Sequence, residues 1–147
     1  MYTVAAGGGP ITRITTAQSS ESSPSWSADG THLIFTSDRG NGLNVYELRS
    51  TAPYGTAVNL TAKVAPCGNG WNGSWSSTGL IAFVACDPAT GDVALYEMRP
   101  DGTGLRKFVS PSVPPTGPTN IYVAGADGSN FHKLISNGEA PSWQPVP

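Results

Sequence analysis

The sequence predicts an all-β chain built as a partial β-propeller of four-stranded antiparallel blades, and three observations carry that expectation. The composition works against helices: 18 Gly and 13 Pro join 16 Ser and 14 Thr in a chain of 147 residues, and these residue types compete with the helix or cannot enter it. A hairpin marked by tryptophan recurs along the chain. A second, tyrosine-marked hairpin recurs between its copies, at the period of a propeller blade.

The tryptophan segment reads Pro24-Ser25-Trp26-Ser27-Ala28-Asp29-Gly30 and returns as Gly73-Ser74-Trp75-Ser76-Ser77-Thr78-Gly79. A shorter echo, Pro141-Ser142-Trp143, lies near the C-terminus. The tyrosine segment begins at Tyr2, Tyr46, Tyr96 and Tyr122. Trp26 and Trp75 are 49 residues apart, Tyr2 and Tyr46 are 44 apart, and Tyr46 and Tyr96 are 50 apart. These intervals match the roughly 40–50 residues of a four-stranded blade. Tyr96 to Tyr122 is only 26 residues, so the third repeat lacks its tryptophan half.

Taken in order, residues 1–16 form a half blade, 22–61 a blade and 71–109 a second blade. A Pro-rich linker follows over 110–120, and a half blade plus a terminal strand occupies 121–145. Within the first blade, Asp29-Gly30 is a hairpin turn, because Gly accepts a positive φ. The run Leu33-Ile34-Phe35-Thr36-Ser37 is a strand covered on both faces. Gly40-Asn41-Gly42 turns the chain again, Asn44 to Leu48 alternates as a third strand, and Val58 to Thr61 closes the blade. The second blade repeats this with Ile81 to Ala85, Ala94 to Met98 and Leu105 to Val109. Its first turn departs from the pattern at Ser77-Thr78-Gly79, so its hairpin is expected to differ. Four prolines between Ser110 and Asn120 exclude a central strand there, since each removes a ladder donor. About 13 strands result, grouped as two, four, four, two and one. A start in mid-blade is expected of a fragment, or of a swapped strand that closes a ring.

These residues resemble the TolB-like family of β-propeller repeats. Pro24 to Gly30 follows that repeat's Pro-x-Trp-Ser-Pro-Asp-Gly with Ala28 in place of Pro. Ser37-Asp38-Arg39-Gly40 follows its next turn, and Ala126-Asp127-Gly128-Ser129 with Leu134 follows its outer half. The resemblance implies a six-bladed propeller, of which this chain carries about three blades. About three blades leave open sheet edges, which invite pairing with another chain, and uncovered apolar faces, which invite stacking, so the expected function is a non-catalytic scaffold acting by protein–protein interaction or by self-assembly into an oligomer or filament. Related repeats serve as the accessory lid of serine peptidases, which is the alternative the resemblance raises. It further implies a periplasmic or secreted protein. The opening Met1-Tyr2-Thr3-Val4 carries no basic region or apolar stretch of a signal peptide.

A lone blade cannot bury both its faces, so neighbouring blades must stack on it. Trp26, Trp75, Trp143, Tyr46, Tyr96 and Tyr122 are therefore expected between blades, the burial of each tryptophan stabilising by about 2–3 kcal/mol or more. Trp71 falls outside the repeat, in the loop Gly68-Asn69-Gly70-Trp71-Asn72-Gly73. With Asn69 and Asn72 it is the candidate contact for a glycan, the reading of a carbohydrate-binding module. Cys67 and Cys86 are too few for a disulfide scaffold or a zinc site. They can pair in an oxidising compartment or remain two thiols.

Charged residues are 12% of the chain and the net charge is −2, with no Lys/Arg cluster. Nucleic acid is not an expected partner, and no apolar run reaches the roughly 20 residues of a membrane span. There is no Gly-x-Ser-x-Gly elbow, and the glutamates lie in unlike contexts, so no catalytic residue or cofactor is expected. His32 and His132 occupy different repeat positions and do not suggest a metal site. The aspartates at turns, among them Asp29, Asp87, Asp101 and Asp127, cap local backbone donors. One such loop is at most a candidate calcium site. Arg39 beside Asp38 reads as a local pair that stabilises its turn.

Overall fold

A computed structural model describes residues 1–109, 120–123 and 132–136, with side chains described through residue 107. The chain divides into two compact units, Met1–Ser110 and Pro111–Pro147. In the first, β1 (Tyr2–Thr3) and β2 (Thr12–Arg13) form a two-stranded ribbon. The first blade contains β3 (Glu21–Trp26), β4 (His32–Gly40), β5 (Gly42–Arg49) and β6 (Val58–Asn59) in that spatial order. The second contains β7 (Trp71–Trp75), β8 (Ile81–Cys86), β9 (Val93–Met98) and β10 (Arg106–Val109). The second unit holds β11 (Asn120–Val123) paired with β12 (His132–Ser136). Every described pairing is antiparallel between sequence neighbours, the meander of propeller blades. Most of the Pro-rich segment and the whole Trp143 strand lie outside the described residues.

The two full blades share their irregularities as well as their strands. The first strand of each blade slips register once, between Ser22 and Ser25 in β3 and between Trp71 and Ser74 in β7. Each slip holds one non-glycine residue at positive φ, Ser23 at 51° and Asn72 at 52°. These positions are 49 residues apart, the tryptophan period. The first hairpin of the second blade does differ. Ser27 donates its backbone N–H to His32, whereas Ser76 donates to Leu80, a loop one residue shorter.

Two apolar layers result from the alternation of side chains across β4, β5, β8 and β9. Ile34 and Val45, on one face of the first blade, pack with Ile81, Phe83, Tyr96 and Met98 of the second. Leu33, Phe35, Tyr46 and Leu48, on the opposite face, pack with Ile14 beside the β1–β2 ribbon. Phe35 stacks on Tyr46 at 6.1 Å and Phe83 on Tyr96 at 6.0 Å.

Glycine sets the spacing of the inter-blade layer. A Cβ on Gly73 would stand 2.8 Å from Val45 Cγ1 and 3.2 Å from Ile34 Cδ1, and both side chains are fully buried. Gly73→Ala should therefore cost about 1–3 kcal/mol, as overpacked cores do. Gly7→Ala should be close to neutral, because nothing lies within 4 Å of its Cβ position and its φ is not positive. Urea denaturation of the two variants checks the contrast, and equal midpoints would refute it.

Candidate functional site

The residues expected between blades divide by location. Tyr46 and Tyr96 are buried within the two layers. Trp75 is half-buried and packs against the inter-blade layer. Trp26 occupies the equivalent position in the first blade, yet is 49% exposed. This corrects the expectation that it is sealed between blades. Its neighbour on that side is the short β1–β2 ribbon, which leaves an opening of about 230 Å³ lined by Tyr2, Val4, Pro24, Trp26 and Leu33. Tyr122 lies in β11, whose side chains are not described, and Trp143 lies outside the described residues.

Polar atoms of β7 meet those of β3 and β4 and tie the two blades together. Trp75 donates its backbone N–H to Ser25 Oγ at 3.0 Å, and Asn72 donates its own to Thr36 Oγ1 at 2.9 Å. Asn72 Oδ1 accepts from Ser23 Oγ at 3.0 Å. Thr61, fully buried, accepts from the Val45 N–H at 3.0 Å and donates to Asn44 Oδ1 at 2.9 Å. The glycan candidates differ in their surroundings. Asn72 joins blades, and Asn69 turns its amide oxygen inward, buried beside Gly42. Trp71 is half-buried in β7 opposite Val84. Cys67 and Cys86 are joined in a disulfide with Cα atoms 6.1 Å apart.

Arg39 corrects another expectation. Its guanidinium pairs with Glu21 rather than with Asp38, and lies 4.9 Å from the centroids of both Phe35 and Tyr46. Asp38 instead accepts the Ser20 N–H at 2.9 Å. Two planar rings give the flat cation a surface to cover, which outweighs pairing with an exposed sequence neighbour.

The turn aspartates are occupied by local donors. Asp101 accepts the Thr103 N–H at 2.9 Å. Asp87, buried, accepts from Lys107 Nζ at 2.9 Å. Asp29 accepts from Ser27 Oγ at 2.6 Å and from the Thr31 N–H at 3.0 Å, and these bonds hold its carboxyl down at about 2. Asp127 lies outside the described residues. Among the described residues, no three His, Cys, Asp or Glu side chains are grouped to hold a metal ion, and no helix is long and apolar enough to cross a membrane.

One grouping was not visible in the sequence. His32 on β4 and Glu47 on β5 line two openings at the end of the first blade, of about 360 Å³ and 480 Å³. The larger lies between the first hairpin turns of the two blades and is walled by Asp29, Trp75, Thr78 and Pro100 as well. Burial raises the Glu47 carboxyl above its usual value, against the opposing pull of His32.

Four-stranded meanders stacked through a shared apolar layer define this as a β-propeller array, and its fold is TolB-like. The chain is similar to the structure of a putative TolB from Agrobacterium tumefaciens, with a TM-score of 0.67 and 17% identity over 92% of this chain and 57% of that one. It is similar also to TolB from Acinetobacter baumannii, with a TM-score of 0.60 and 17% identity over 88% of this chain and 30% of that one. The chain thus spans little more than half of the first protein and under a third of the second. No protein-family model matches the chain, and no curated protein matches it.

Proposed function

We propose that the chain is a non-catalytic β-propeller scaffold that acts by binding protein, with self-assembly of its own copies as the mode its surface favours. The supporting observation is the apolar patch at the β1–β2 end. Tyr2 is 62% exposed and Val4 56%, and both line the opening beside the half-exposed Trp26. In a blade stack this kind of surface is covered by the next sheet. Exposed together, such residues mark an interaction site. A periplasmic or secreted setting is part of the proposal, supported by the Cys67–Cys86 disulfide, which persists in oxidising compartments, and by the TolB-like fold.

Light scattering on the purified 147-residue chain tests this. The expected mass is a multiple of 15.2 kDa that rises with concentration, and Trp26→Asp should return it to one chain. A single-chain mass at every concentration, indifferent to Trp26→Asp, would remove self-assembly.

A further inference from the structure

We propose that the cleft between the first hairpin turns of the two blades, at His32, Glu47 and Trp75, is a binding site for a guanidinium group, the arginine side chain of a partner protein. The inference rests on the scaffold reading and names what one part of its surface recognises.

The donor and acceptor pattern carries it. The Asp29 carboxylate accepts from the Thr31 hydroxyl at 2.8 Å. That hydroxyl has one proton, and Asp29 takes it. Its contact with His32 Nδ1 at 2.8 Å must then be one in which Nδ1–H donates to Thr31 Oγ1. In the neutral ring this leaves Nε2 as an acceptor, since the tautomer is set by the bond the other nitrogen makes. Glu47 supplies two more acceptor oxygens from the neighbouring strand. It enters none of the ion pairs formed among the described residues.

The walls of the larger opening therefore hold two carboxylates and an imidazole, with no Lys or Arg among them. Burial makes the Glu47 carboxylate costly, and His32 is the one titratable base that lines the opening with it, so a bound cation relieves that cost. Trp75 also lines the opening, and an indole face is a surface on which a guanidinium can stack. A guanidinium presents several N–H donors in one plane and matches a set of separated acceptors, where an ammonium is a point charge. The lining comes from both blades, so the site exists only when they are packed together.

The test titrates the folded chain with Nα-acetyl-arginine methylamide. The readouts are calorimetry and the Trp75 indole N–H resonance, assigned by its loss in Trp75→Phe. The expected result is saturable binding that shifts this resonance, weaker binding of the lysine analogue, and no response to Nα-acetyl-glutamate methylamide. Glu47→Gln should weaken arginine binding about tenfold, the scale of a hydrogen bond to a charged group. His32→Leu, which removes the second acceptor, should weaken it too and serves if Glu47→Gln fails to fold. Absence of saturation, equal binding of the lysine or glutamate analogue, or binding unchanged in a folded Glu47→Gln or His32→Leu variant overturns the assignment. The mass measurement with Trp26→Asp reads a different surface, so the cleft can fail while the scaffold reading stands.

Discussion

Phe83→Ala should lower the unfolding free energy of the first unit by about 3–5 kcal/mol, the upper range for a buried phenylalanine. Phe83 is fully buried on β8, stacks on Tyr96 and packs in the layer that contains Ile34 and Val45 of the other blade. The loss has two parts, the transfer free energy of the ring and the cavity that remains. Here the cavity cannot readily collapse. The sheets are held apart at fixed spacing by the backbone bonds from Trp75 and Asn72 to Ser25 and Thr36. Phe35 is the same residue at the same repeat position, but its layer faces the small ribbon and includes the partly buried Met1 and Tyr54. Those neighbours can shift, so Phe35→Ala should cost less than Phe83→Ala. Urea denaturation of both variants gives the order. The opposite order, or a Phe83→Ala effect below about 1 kcal/mol, which is ordinary for any substitution, would show that the blades do not depend on a shared core.

The repeat was legible in the sequence because burial imposes its period directly. Tyr46 and Tyr96 stand at one strand position in consecutive blades, and both are in the layers where that position places them. What a single residue does there also depends on the size of the neighbouring sheet, which its own sequence does not encode. Trp26 and Trp75 share a motif, yet one faces a two-residue-per-strand ribbon and the other a full blade. Asn72 offered a local signal for its bulge, since Asn tolerates positive φ, but Ser23 offered none. The sequence shows Arg39 beside Asp38, whereas its ion pair reaches across to Glu21. The cleft was invisible for a related reason. Asp29, Glu47, Trp75 and Pro100 come from separate elements, and only the stacking of blades assembles them.

The Cys67→Ser/Cys86→Ser double variant should lose about 3 kcal/mol, the chain-entropy value for a closed loop of this size, the two cysteines being 19 residues apart. Cys67 lies in the 3-10 turn Pro66–Gly68, on the connection from β6 to β7, and Cys86 ends β8. The connection has other anchors in the native state. Ala65 is buried and donates its N–H to the Thr61 carbonyl at 2.8 Å, and Gly70 donates to Leu43 at 3.1 Å. Without the bond the connection should therefore remain docked, and the loss should arise from the greater freedom of the unfolded chain. Two consequences separate this from native-state damage. The urea midpoint should fall while the m-value rises, because an uncrosslinked chain exposes more surface on unfolding. Amide exchange across residues 60–70 should still track global unfolding rather than a local opening. Protection that vanishes in this segment alone would mean that the disulfide acts by holding the loop in place, and a loss below about 1 kcal/mol would refute the chain-entropy account.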